Sequence, residues 1–287
     1  MTVISRRKLL AGPALLNLRN AADDGDAKLR HGVATLERRH GGRLGVAVLD
    51  TASVTLIAHR GGERFALCST HKALAAAFVL ARVDRKQESL ARRILYARED
   101  LVPHSPITEK HVGEGGLTVG DICEAAVTLS DNTAANLLLD SFGGPADLTA
   151  YLRSLGDSVT RLDRRETALN EAKPGDPRDT TTPVAMLETL RKTVLGTALS
   201  TSSREQLTAW LVANKTGDER LRAGVPKAWR VGDKTGSGAN NATNDIAVLW
   251  PPGRAPIIVA AYYAEARASE AERHAVLSEV GRLAAAV

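Results

Sequence analysis

Cysteine is scarce: Cys68 and Cys123 are the only two in a chain of 287 residues, which excludes a disulfide scaffold. No Cys or His spacing has zinc-ligand form, and none of the seven histidines stands in a His-Glu-x-x-His string, so a metal enzyme is not expected. Aromatic residues are few, 3% of the chain, and acids are scattered among the Lys and Arg. A nucleic-acid surface would cluster basic residues with stacking rings. The net charge of +5 therefore reads as solubility with a mild attraction for anions, and no nucleic-acid partner is expected. Long hydrophobic runs are also missing. The longest, Ala73 to Ala81, is far too short to span a bilayer, so no membrane partner is expected apart from an export signal. What remains, 44% apolar and 25% charged, is an ordinary globular composition, long enough for one large or two medium domains.

The N-terminus has a different texture. Ser5-Arg6-Arg7-Lys8-Leu9-Leu10 is a basic head, and Ala11 to Leu18 is a short, mostly apolar stretch. That is the form of an export signal, and its paired arginines suit the twin-arginine route. The competing reading is a start-codon extension or a basic amphipathic turn. The expectation is a signal over residues 1–22 and a periplasmic or secreted mature chain.

Leu29, Val33 and Leu36 recur at helical spacing within Asp26 to Arg39. Leu44 to Asp50 and Val54 to His59 then read as a hairpin across Thr51-Ala52-Ser53. From about Phe65 to Leu211 Ala and Leu dominate and helix signals recur. Thr118 to Asp121 has capping-box spacing, Asn132 to Phe142 ends at Gly143-Gly144, and Thr182-Pro183 opens a helix to about Val194. Strand texture returns at Trp229 to Gly236, Ile246 to Trp250 and Ile257 to Tyr263. A capping box at Ser269 to Glu272 then opens a closing helix with Val276, Leu277, Val280 and Leu283 on one face. Isolated hairpins are barely stable, so both ends are predicted to share one antiparallel sheet. The expected fold is α+β in two lobes. A five-stranded antiparallel sheet flanked by the terminal helices spans residues 23–64 and 212–287, and an all-helical lobe spans residues 65–211. A ligand site is expected between the lobes.

Three short strings carry chemistry. Ser69-Thr70-His71-Lys72 precedes an apolar helical run, putting a hydroxyl and an amine on one helix face. A serine hydroxyl needs such a base to become a nucleophile. Ser130-Asp131-Asn132 stands at a loop-to-helix junction, where Ser, Asp and Asn are also ordinary caps. Lys234-Thr235-Gly236 lies on a predicted strand over Val231 to Gly238, with an amine and a hydroxyl suited to a carboxylate and a glycine that permits close approach. An exposed edge strand carrying a lysine would read the same way.

Taken together and in this order, the three strings resemble the penicillin-recognising serine enzymes. Arg164-Arg165-Glu166-Thr167-Ala168-Leu169-Asn170 resembles the omega loop of class A β-lactamases, here residues 161–179, with Arg164 and Asp179 placed as its closing ion pair. Leu101-Val102-Pro103 and Asn244-Asp245 resemble the cefotaximase and serine-carbapenemase branches. The resemblance implies that Ser69 attacks a β-lactam carbonyl, with the Ser69 and Ser237 N–H groups as oxyanion hole. Lys72 and Glu166 are the rival acylation bases. It further implies that Ser130 protonates the lactam nitrogen and that Asn132 binds the substrate's side-chain amide. Lys234, Thr235 and Ser237 would hold its carboxylate, and Glu166 with Asn170 would activate the hydrolytic water. The implied partner is a small β-lactam, the implied state a monomer, and no cofactor is required. A D-alanyl-D-alanine peptidase or a covalent penicillin sensor would not need Glu166 with Asn170.

The chain also departs from the family pattern. His71 lies inside the nucleophile string, read as a packed or solvated neighbour, and His104 takes the place of an aromatic residue beside the cleft. Gly238 and Ala77 stand where relatives carry partner cysteines, so both thiols are expected free. Arg220 is placed to reach the substrate carboxylate, Asn244 is read as replacing an arginine used for that task elsewhere, and Asn240 and Asn241 are read as rim residues.

Overall fold

The computed structural model describes residues 13–113 and 115–287. The head of the expected export signal, residues 1–12 with Arg6 and Arg7, lies outside the described residues. Residues 13–22 open the first helix, α1 (Pro13–His40), which starts earlier than the apolar spacing predicted. The spacing marks only the core-facing stripe, here the buried Leu29 and Val33, and a stripe does not report a helix's ends.

After α1 come β1 (Arg43–Asp50) and β2 (Thr55–His59), then β3 (Phe65–Ala66) and α2 (His71–Asp84). The short strands β4 (Arg93–Ile94) and β5 (Leu117–Thr118) precede α3 (Val119–Thr128), α4 (Asn132–Ser141) and α5 (Pro145–Ser154). Next are β6 (Thr180–Thr181), α6 (Pro183–Val194), α7 (Thr201–Val212) and the short α8 (Leu221–Gly224). The chain closes with β7 (Arg230–Ser237), β8 (Thr243–Trp250), β9 (Ile257–Ala264) and α9 (Glu270–Ala284).

The main sheet has five strands in the order β2-β1-β9-β8-β7, every neighbouring pair antiparallel. Both chain ends therefore build it, as the weakness of an isolated hairpin requires. Side chains alternate across a strand with a period of two, and here both faces are covered. Leu44, Val46 and Val48 of β1 join Val259, Ala261 and Tyr263 of β9 against α1 and α9. Ala47 and Leu49 of β1, with Ile258, Ala260 and Tyr262 of β9, face the helical block. That double burial explains the continuous apolar run of β9, Ile257–Ala264.

Local signals act as expected from their chemistry. Thr118 with Asp121 and Ser269 with Glu272 form capping boxes, and Thr182 caps α6 with Pro183 in its first turn. Two small ladders went unpredicted, because two-residue strands carry no periodicity. One of them, β3 with β6, ties the approach to Ser69 to the end of the 161–179 loop. Both thiols are free and buried. Among the described residues, no helix is long and apolar enough to cross a membrane.

Helices α8 and α9 meet backbone to backbone. A Cβ on Gly281 would stand 2.2 Å from the Leu221 carbonyl oxygen, and one on Gly224 would stand 1.8 Å from that of Ser278. Gly281→Ala should therefore cost about 2 kcal/mol through overpacking. In a thermal melt this is a fall in Tm of about 5 °C; an unchanged Tm would mean that α8 can move aside freely.

Candidate active site

The Ser69 turn is tightly made. Cys68–Thr70 is a single 3-10 turn running into α2, with Cys68 at φ +45°, a left-handed value uncommon outside glycine. Leu67 N–H donates to the Asp179 carbonyl at 2.8 Å, and Thr70 Oγ1 donates to the Leu67 carbonyl at 2.7 Å. Gly236 packs on the turn itself: a Cβ there would lie 3.0 Å from Leu67 O and 3.2 Å from Ser69 N. The close approach expected of this glycine is therefore made to the nucleophile's own backbone. Gly238 abuts Cys68, its notional Cβ 2.7 Å from the sulfur.

One turn into α2, Lys72 is fully buried. Its Nζ donates to Ser130 O at 2.7 Å and Asn132 Oδ1 at 2.6 Å, reaches Ser130 Oγ at 3.3 Å, and pairs with Glu166 Oε1 at 3.0 Å. An ammonium offers three protons, and here oxygens surround it. Burial pushes the amine's pKa down, while Glu166 pulls it back up. Burial likewise opposes charge on Glu166, but Lys72, His71 and the hydrogen bonds from Lys72 and Asn170 outweigh it, holding the carboxyl below its usual range. Glu166 also accepts from Ser69 Oγ at 3.5 Å, the long limit of such a bond, and from Asn170 Nδ2 at 2.5 Å. It is paired with neither of its neighbouring arginines: Arg164 binds Asp179 at 2.6 Å and Glu171 at 2.5 Å, and Arg165 binds Asp140.

Ser130, at φ +57°, sits between two amines, 3.3 Å from Lys72 Nζ and 3.2 Å from Lys234 Nζ. Both amines donate to its oxygen, so its own proton is free to point elsewhere. Asp131 is a cap: Oδ1 accepts from Ala134 N–H at 2.8 Å, while Oδ2 holds Ile107 and Thr108 N–H. Asn132 Nδ2 donates to Pro103 O at 2.8 Å. His104, exposed and at φ +64°, donates its ring N–H to Leu129 O at 3.2 Å.

On β7, Lys234 is fully buried and donates to Thr235 O at 3.0 Å. Burial, then repulsion from Lys72, pushes its pKa down to about 7. Arg220 is buried too. Its guanidinium donates to Gly236 O at 3.0 Å, Asn244 O at 2.8 Å and Ser237 Oγ at 2.7 Å. Asn244 turns its Nδ2 to Ala66 O at 2.9 Å, bracing the approach to Ser69. Asn241 turns outward to Ala266 O, while Asn240 reaches the carbonyls of Glu171 and Ala172. His71 is packed, donating through Nδ1 to Cys68 O at 2.9 Å, and burial lowers its pKa.

Asn136 was missed by the sequence reading. Its side chain clamps the Glu166 backbone in both directions, accepting from N–H at 2.9 Å and donating to O at 3.0 Å. The available signal was a lone amide one helical turn past Asn132, amid Ala134, Ala135 and Leu137. Asn170 Oδ1 is buried with no hydrogen-bond partner among the described residues. No three His, Cys, Asp or Glu side chains among those residues group as metal ligands.

Lys234 should therefore be charged below about pH 7 and neutral above it. NMR titration of lysine-labelled protein, with Lys234→Arg to assign the signal, should show a midpoint near 7. A midpoint at the ordinary lysine value would mean that water reaches the amine.

Residues 28–287 match the family model described as the Beta-lactamase enzyme family. The chain is 49% identical over 277 residues to β-lactamase L2 of Stenotrophomonas maltophilia, covering 96% of this chain and 91% of that protein. It is 47% identical over 275 residues to β-lactamase CTX-M-8 of Citrobacter amalonaticus, covering 96% and 92%. Among solved structures, an ancestral class A β-lactamase superposes with a TM-score of 0.88 at 67% identity, covering 89% of this chain and 98% of that one.

Proposed function

The chain belongs to the class A β-lactamases, and from that membership we propose how its own residues open a β-lactam and release the product. It is a serine hydrolase acting on the cyclic amide of β-lactams. The carrying observation is that Ser69 with Lys72, Ser130 and Glu166, from three stretches far apart in the chain, share one buried hydrogen-bonded cluster.

Ser69 Oγ attacks the lactam carbonyl carbon, and its proton passes to Glu166, directly or through one water. Lys72 is the weaker candidate for this step. Its protons are spent on Ser130, Asn132 and Glu166, and a base needs a lone pair. As an ammonium it instead stabilises the anion that develops. The Ser69 and Ser237 N–H groups receive the oxyanion. The C–N bond breaks as Ser130 gives its proton to the lactam nitrogen, and the proton that Glu166 took from Ser69 passes through Lys72 to Ser130, restoring its hydroxyl and the Glu166 carboxylate. Lys234, Thr235, Ser237 and Arg220 hold the substrate carboxylate, Gly236 keeps the strand against the nucleophile turn, Asn132 meets the side-chain amide, and His104 stands at the rim. For release, a water is held between Glu166 and the unpartnered Asn170 Oδ1. Glu166 takes one proton of that water as the hydroxide attacks the ester carbonyl, and passes it to Ser69 Oγ as the ester C–O bond breaks. This last step separates a β-lactamase from a peptidase or a penicillin sensor. No cofactor enters the scheme.

We place the site between a lobe of residues 23–64 and 212–287 and a helical lobe of 65–211, in a monomer. The mature chain is read as periplasmic or secreted, exported by the twin-arginine route on Arg6 and Arg7.

Glu166→Ala should turn steady hydrolysis of nitrocefin into a stoichiometric burst, with deacylation slowed about a thousandfold and the acyl-enzyme seen by mass spectrometry. Full turnover by that variant would remove Glu166 from the release step. Ser69→Ala should abolish covalent labelling by penicillin, and persistent labelling would assign the nucleophile elsewhere.

A further inference from the structure

His71 is fully buried, one residue before Lys72, and the reaction above leaves it without a task. Burial holds its pKa down, so the ring is neutral and has one proton. Its Nδ1 lies 2.9 Å from Cys68 O. A carbonyl oxygen can only accept, so the proton sits on Nδ1. Nε2 is then a bare lone pair, buried with no hydrogen-bond partner among the described residues. An apolar side chain would fill the place without that penalty. What distinguishes a histidine here is therefore the Nδ1 proton.

The carbonyl it meets is half of the Cys68–Ser69 peptide. A trans peptide is planar, with C=O and N–H pointing opposite ways, so a donor fixed on Cys68 O also fixes the direction of the Ser69 N–H. The backbone N–H of His71 donates to the same oxygen, closing the 3-10 turn. The plane has need of such holding. Cys68 is at φ +45°, a conformation that its side chain disfavours. Ser69 stands in the first turn, where an N–H has no partner within the helix, so the turn alone does not aim it.

We propose that His71 is a positioning residue: its Nδ1–H on Cys68 O sets and polarises the Cys68–Ser69 peptide, aiming and strengthening the Ser69 N–H that receives the oxyanion. Hydrogen bonds in a chain strengthen one another. As charge grows on the oxyanion, the Cys68 carbonyl becomes a better acceptor and the His71 bond tightens. Its worth is then greater in the transition state than with substrate merely bound, and its loss falls on kcat more than on binding. The inference rests on the reading of the Ser69 N–H as half of the oxyanion hole.

The test reads the acyl carbonyl itself. A penicillin labelled with carbon-13 at the lactam carbonyl is trapped on the Glu166→Ala enzyme, and isotope-edited infrared difference spectra give the ester C=O stretch. With Glu166 removed, no change in that band can come through its carboxylate. In Glu166→Ala alone the band should lie below that of the corresponding methyl ester in water. Adding His71→Phe or His71→Leu, which keep apolar bulk and delete the donor, should move it up towards the free ester. Adding His71→Asn instead, whose NH2 can stand near the Nδ1 position, should keep it low. With Glu166 in place, the two apolar variants should lower kcat/KM about fivefold, the scale of one neutral hydrogen bond, and His71→Asn should recover it. If the band of Glu166→Ala alone coincides with the free ester, the oxyanion-hole reading fails and takes the proposal with it. If that band is low and stays low in the apolar variants, His71 alone loses its role. Equal upward shifts in all three variants, or failure of both apolar variants to fold, would reduce His71 to packing and overturn the proposal.

Discussion

A buried ammonium has to be met by oxygen, and here the oxygen comes from two stretches of chain remote from its own. Lys72 brings α2, the Ser130–Asn132 junction and Glu166 of the 161–179 loop to one point, with both ends of its ion pair wholly shielded from solvent. A charge in that position costs several kcal/mol unless paired and hydrogen-bonded. The three stretches are therefore positioned by the same electrostatic demand, and loss of either partner leaves the other stranded.

The 161–179 loop has a second anchor of the same kind. The Asp179 carboxylate takes the N–H groups of Asp163 and Arg164 at 2.7 and 2.9 Å and the Arg164 guanidinium at 2.6 Å, while its own carbonyl holds Leu67. One residue thus closes the loop that carries Glu166 and steadies the turn that carries Ser69. The separation between those two side chains is set at both ends of the loop, by Asp179 and by Lys72.

Much of this was legible because local chemistry repeats. The alternation of β1, the capping residues of α3, α6 and α9, and the buried stripe of α1 each report a periodic or fixed-offset constraint. The chemistry-bearing strings were legible because each occupies a few adjacent residues. Arg220 was assigned to a carboxylate but not foreseen as buried, since nothing near it in sequence shows that Gly236, Asn244 and Ser237 receive it. Asn136 was invisible for the same reason: its partner Glu166 is distant in sequence, and a lone amide has many ordinary uses. The start of α1 was misjudged because hydrophobic spacing describes what is covered, not where a helix begins. The direction of the Asn244 amide was not legible either, because it depends on strand register, which pairs Asn244 with Gly236 and turns its amide to the Ala66 carbonyl.

Among the described residues strand β7 ends the sheet, with β8 on one side and no sixth strand on the other. An open edge ordinarily invites another chain to dock and aggregate. Here the Ser69 turn occupies part of that margin, packed on Gly236 closely enough to deny a foreign strand its place. The contact that shields part of this margin is thus the same one that seats the nucleophile turn, so protection of the edge and placement of Ser69 rest on a single glycine.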